Sequence, residues 1–141
     1  MGIILSSKNH SIDLGCMGFN RLRIKVAELT GEEIGEHYKK LSNAICLSGK
    51  EKKIFFDEYN KKISELADKH NIPHGILDFL YASDLEGEIT YDKCEQIYKV
   101  IEDYDDKVLY GYIMQSNCAM FKDFKEIIKD CVNNKCSLEW S

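Results

Sequence analysis

From Phe19 to Cys131 the apolar residues recur every three or four positions, and this helical rhythm constrains the fold more than any other feature. Phe19, Leu22, Val26 and Leu29 mark a first helix. Ile34, Tyr38, Leu41 and Ile45 mark a second, and Phe55, Tyr59, Ile63 and Leu66 the inward side of a long third. Thr30 with Glu33, and Ser48 with Glu51, have the spacing of capping boxes and predict where the second and third helices start. The third is expected to end near His70 or Asn71. Pro73 suits the first turn of a fourth helix carrying Ile76, Leu77 and Leu80. Thr90 caps a fifth, with Cys94, Ile97, Tyr98 and Ile101 on one face, and the acidic run Glu102 to Asp106 ends it. A sixth carries Phe121, Phe124, Ile128 and Cys131, and Asn133 and Asn134 suit the left-handed turn that would stop it. Val108 to Met114 reads as a strand or a buried loop.

Away from that stretch the rhythm fails only at the two ends. Gly2 to Ser6 and Ser137 to Trp140 read as short strands. Each alone would leave its backbone groups unpaired, so antiparallel pairing of the two is expected. The expected fold is therefore α+β and mainly helical, with about six helices and a small antiparallel sheet formed by the N- and C-terminal strands. A single domain over 1–141 is long enough for a real core, and no repeat or linker divides it.

Charge and cysteine usage narrow the partners. A net charge of −5 gives no nucleic-acid signature. Ile3, Ile4 and Leu5 are too short an apolar run for a membrane span or a signal peptide, so a cytoplasmic protein is expected. There are six cysteines but no CxxC pair, and Cys94, Cys118 and Cys131 lie on apolar stripes as buried thiols do. No metal and no cofactor is expected. His37 is expected to pack beside Tyr38, and His70 and His74 to lie at the surface or cap a helix.

One residue breaks the pattern of the first helix. At about 100° per residue, Arg23 projects into the arc of Phe19, Leu22, Val26 and Leu29, with Asn20 at its edge. A guanidinium keeps its charge, so burial demands a carboxylate, carbonyls or a bound anion. An internal salt bridge to Asp13 or a distant glutamate would serve. So would a ligand phosphate near the start of the helix. The preceding segment, Ser6 to Ser11, is rich in donors, and Gly15 and Gly18 permit close backbone approach. Candidate ligand-binding residues are Ser7, Lys8, Asn9, Asp13, Asn20, Arg21 and Arg23, with Tyr112 or Trp140 as a stacking ring. Arg21 projects to the solvent side. No catalytic residue can be named.

Residues 79–101, FLYASDLEGEITYDKCEQIYKVI, resemble an EF-hand, with Gly87 and Ile89 as the loop glycine and central hydrophobe. Asp84 and Glu86 would be the third and fifth loop positions. But Ala82 stands first, and Lys93 stands where a bidentate glutamate is needed. The segment therefore reads as a helix-turn-helix with an acidic turn, not a calcium site.

SSKN, SID, GF and LR (Ser6 to Asn9, Ser11 to Asp13, Gly18-Phe19, Leu22-Arg23) together resemble a group of small proteins from low-GC Gram-positive bacteria and their phages. FLYASDLEGEIT and CSLEW resemble two further shared blocks, so the likeness covers most of the chain. It implies a compact intracellular protein of phage or prophage origin. Its motifs specify no reaction, so no functional residue is carried over. By analogy with small phage proteins, the expected function is non-enzymatic: sequestering a small anionic, nucleotide-derived ligand such as a host defence signal, with a homo-oligomer among the expected partners. An interaction module is the alternative, with Asp84 to Glu88 and Glu102 to Asp106 meeting a basic surface on a host protein. A nucleotide-cleaving enzyme is the third reading.

Overall fold

A computed structural model describes residues 3–104, 110 and 119–141. The chain forms β1 (Ile4–Ser6), β2 (Ser11–Asp13), α1 (Gly15–Thr30), α2 (Glu32–Lys39), a 3-10 segment (Lys40–Cys46), α3 (Gly49–His70), α4 (His74–Tyr81), β3 (Gly87–Ile89), α5 (Tyr91–Ile101), α6 (Phe121–Asn134) and β4 (Leu138–Trp140). The four strands make one antiparallel sheet in the order β2-β1-β4-β3. The fold is α+β and mainly helical, and the terminal strands pair at its centre, with Leu5 opposite Trp140. Strands β2 and β3 had read as turn. Each is three residues long, too short for alternation to register.

The helices largely follow the apolar rhythm, and the departures have local causes. The first helix begins at Gly15, one turn before Phe19, because Asp13 Oδ1 accepts the Gly15 N–H at 3.2 Å. Thr30 does not cap α2. It is the last residue of α1, and its hydroxyl donates back to the Val26 carbonyl at 2.8 Å. Gly31 alone joins the two helices. Gly35 lets them approach, since a Cβ there would sit 2.9 Å from Glu28 Cα. Beyond Lys39 the chain tightens into the 3-10 segment, so the period changes and Ile45 turns outward, 84 % exposed.

The α3 helix ends at a left-handed Asn71, and Ile72 N–H reaches back to the Ala67 carbonyl at 3.0 Å. Neither Ser48 nor Thr90 caps through its side chain; the Thr90 hydroxyl donates to Asp92 at 2.5 Å instead. The left-handed residue closing α6 is Lys135 rather than Asn133 or Asn134. Asn134 stays helical because its amide donates to Asp130, on the turn below. Except for Tyr110, Val108 to Met114 lies outside the described residues.

The core runs between the sheet and α1, α4, α5 and α6, with Phe19, Phe79, Phe121 and Phe124 fully buried at its centre. Trp140 closes it from the sheet side, 5.4 Å from Phe19 and 6.0 Å from Phe79 by ring centroids. Gly87 lies under the indole, and a Cβ there would enter the ring. On the exposed sheet face Glu88 stands opposite Glu139. Like charges in register oppose pairing, so Glu88→Lys is expected to raise stability by about 0.5 kcal/mol. The urea midpoint should rise with an unchanged slope.

Candidate functional site

Arg23 is the largest fully buried side chain outside the aromatic residues, at 1 % exposure. Its guanidinium carbon lies 4.2 Å from the Phe19 ring centroid, 5.6 Å from Phe79 and 5.5 Å from Trp140. This aromatic cage stabilises a cation through the ring quadrupoles. Nη1 donates to Asp84 Oδ1 at 2.8 Å, and Nη2 to the Ser83 carbonyl at 3.3 Å. The same carbonyl accepts Trp140 Nε1–H at 3.0 Å. The turn after α4 is thus gripped from α1 and from β4. In a loop of EF-hand outline, the positive charge at Asp84 comes from Arg23. Lys93, at the last loop position, instead pairs with Asp78 at 2.6 Å. Among the described residues no group of three or more His, Cys, Asp and Glu is arranged to hold a metal.

The pair is lopsided. Arg23 is enclosed, whereas the Asp84 side chain is 87 % exposed. Burial pushes the guanidinium pKa below its ordinary value, with Tyr38 and Asp84 acting against that shift. Arg23 Nε is buried and meets no acceptor among the described residues. A buried donor of this kind is costly unless something supplies an acceptor.

Arg23 lines a pocket of about 690 Å³ with Asn20, Tyr38, Lys39, Phe56 and Tyr81. Helix α1 supplies Asn20 and Arg23 three positions apart, and α2 supplies Tyr38 and Lys39 at its end. Burial raises the Tyr38 phenol to about 12, so it remains a neutral donor, directed to the Leu80 carbonyl at 3.1 Å. Lys39 is 50 % exposed and pairs with Glu28 at 3.1 Å. Both cations of the pocket therefore hold a carboxylate that an incoming anion must share or displace.

The remaining candidates do not converge on this pocket. Ser7 and Asn9 clamp a different partner, Asp130 of α6. The Ser7 hydroxyl donates to Oδ2 at 2.6 Å, the Asn9 N–H to Oδ2 at 2.8 Å and the Asn9 amide to Oδ1 at 2.9 Å. Their donors, expected to face a ligand, are spent on holding the β1–β2 turn to α6. Those bonds, the Ser7 hydroxyl foremost, hold the Asp130 carboxyl down to about 2. Lys8 is exposed at the tip of that turn. Asp13 is spent on the Gly15 N–H at the start of α1. Arg21 is on the solvent side and donates to the Tyr110 carbonyl at 3.3 Å. Trp140 is 3 % exposed, so its ring packs in the core and offers no free face for stacking. Tyr112 lies outside the described residues.

Three residues take parts that the sequence did not assign to them. Asp84 is the counterion that had been sought at Asp13 or a glutamate. Asp130 carried a legible signal: a carboxylate on the same helical face as Ile127 and Cys131, where an apolar residue belongs. His37 stacks on Tyr59 with ring centroids 3.9 Å apart, rather than on Tyr38, and its Nε2 lies 3.0 Å from the Tyr59 carbonyl. Burial holds its pKa below the ordinary value. His70 pairs with Glu33 at 3.3 Å.

No helix among the described residues is long and apolar enough to cross a membrane. Comparison with protein-family models, with curated proteins and with solved structures found no match to the chain.

Proposed function

We propose that this chain is a non-enzymatic binding protein that holds a small anionic, nucleotide-derived ligand in the Arg23 pocket. The observation that carries the reading is Arg23 itself, which lines a pocket of about 690 Å³ while its buried Nε meets no acceptor among the described residues. A phosphate or carboxylate oxygen satisfies it, and charge-assisted bonds to a guanidinium are among the strong ones. Lys39 adds a second cation at the rim, and Asn20 a neutral donor and acceptor. Phe56 and Tyr81 provide aromatic wall for a base. Asp84 stands in for the anion in the free protein. Its exposed carboxylate returns to water at little cost when a ligand arrives. Resemblance to small phage and prophage proteins suggests the setting, sequestration of a nucleotide signal in a host cytoplasm.

Isothermal titration against nucleoside mono- and diphosphates and cyclic dinucleotides tests this. At least one is expected to bind. Arg23→Met keeps the volume and the apolar contacts, so that variant should fold. It is expected to bind roughly 10- to 100-fold more weakly, the worth of one or two charge-assisted bonds. Equal affinity in the folded variant would remove Arg23 from the site.

A further inference from the structure

The long helix α3 is underused by the fold. Over its 22 residues only Tyr59 and Leu66 are fully buried, and Phe55, Phe56 and Ile63 are half-covered. It packs on α2 and stands off from α4, leaving a groove of about 890 Å³ between them. Phe56, Ile63 and Leu77 form its apolar lining, and Asp68, Asp78 and Glu88 its charged rim. Lys93 and His74 are the basic residues of that lining, and Lys93 is tied to Asp78. The Tyr59 and Tyr81 hydroxyls meet at 2.8 Å and bridge α3 to α4.

We propose that the groove between α3 and α4 docks an amphipathic helix of a partner protein, apolar on one face and flanked by lysine or arginine. Shape and charge both select this occupant. The α4 wall, His74–Tyr81, is about 12 Å long, so the groove holds about two turns of a partner helix lying along α3. Apolar anchors at i, i+3, i+4 and i+7 would face Phe56, Ile63 and Leu77, as in helix-in-groove recognition. The carboxylate rim then meets the flanking cations and favours them over acidic or neutral helices. A second copy of this chain fits poorly. A two-fold contact would set Asp68, Asp78 and Glu88 against themselves in a protein whose net charge is −5. The groove shares Leu41, Phe56, Tyr81 and Ala82 with the Arg23 pocket, but its carboxylate rim of Asp68, Asp78 and Glu88 lies outside that pocket.

The probe is a synthetic leucine/lysine amphipathic peptide of about 18 residues, five turns of helix. A leucine/glutamate peptide of the same pattern is the control. Fluorescence anisotropy measures binding, and amide chemical-shift mapping locates it. The lysine peptide is expected to bind, with shifts centred on Ile63, Ala67, Leu77 and Ile89, and the glutamate peptide is not. Asp68→Lys with Glu88→Lys changes exposed side chains only, and should weaken binding at least about tenfold. The proposal is overturned if neither peptide binds, if both bind alike, or if the shifts fall elsewhere on the acidic surface. It is also overturned if sedimentation shows a dimer whose interface covers the groove.

Discussion

Asp84→Ala is expected to destabilise the protein by about 3 kcal/mol, although the side chain it removes is almost wholly in water. Substitutions at so exposed a position ordinarily change stability by less than about 0.5 kcal/mol. The difference lies in what is left behind. Without Asp84 the guanidinium of Arg23 stays buried among Phe19, Phe79 and Trp140, beside Tyr38 and the Ser83 carbonyl but with no carboxylate on it. Thermal unfolding should fall by roughly 10 °C for a domain of this size. The reverse truncation is milder, because Arg23→Met leaves Asp84 in solvent and puts a polarisable thioether in an aromatic cage. The double variant should therefore be more stable than Asp84→Ala alone. A loss under about 0.5 kcal/mol for Asp84→Ala would mean that the pair does not hold Arg23 in place.

The second large effect is at Asp130. Removing its carboxylate by Asp130→Ala takes the acceptor from the Ser7 hydroxyl, the Asn9 N–H and the Asn9 amide, while the Asn134 amide keeps the Asp130 backbone carbonyl. A loss of about 1.5 kcal/mol is expected, since Ser7 is half-buried and Asn9 and Asn134 are exposed, so that water takes over part of what the carboxylate accepted. The same carboxylate makes stability depend on acid. Its folded pKa is about 2, below the ordinary 3.8. A depressed carboxyl contributes stability that is fully present above its unfolded pKa and is lost as pH falls through the folded value. The loss therefore falls between about pH 5 and pH 2, and solvent screening keeps it to about 1 kcal/mol. His37 acts in another window. Its folded pKa lies below 6.5, so its contribution declines as pH falls from that value. Urea unfolding at stepped pH separates the two, and Asp130→Ala should flatten only the lower limb. An unchanged acid limb in the variant would show that the clamp contributes little.

Helical rhythm and strand pairing at the ends were legible because each extends over many residues or is forced by backbone pairing. The short strands β2 and β3 were not, since three residues carry no period. Ile45 misled because the switch to a 3-10 segment changes the repeat without changing composition. Arg23 stood out at once, as a charge on an apolar arc. Its counterion did not, because Asp84 lies 61 residues away and nothing local links them. The hint was the incomplete EF-hand outline, an acidic turn lacking a cation. The polar turn from Ser6 to Ser11 read as a ligand loop, since donors in sequence do not reveal their acceptor. Its acceptor for Ser7 and Asn9 is Asp130, more than a hundred residues on.

Contact between Arg23 and a ligand anion is tested directly by the side-chain Nε–H resonance of that residue. The chain has two arginines, Arg21 and Arg23, so the Nε–H region holds two signals, assigned with Arg21→Lys. Titration with a nucleotide that binds calorimetrically should move the Arg23 signal downfield and slow its exchange with water, leaving Arg21 in place. An Arg23 signal unmoved at saturation would contradict the account.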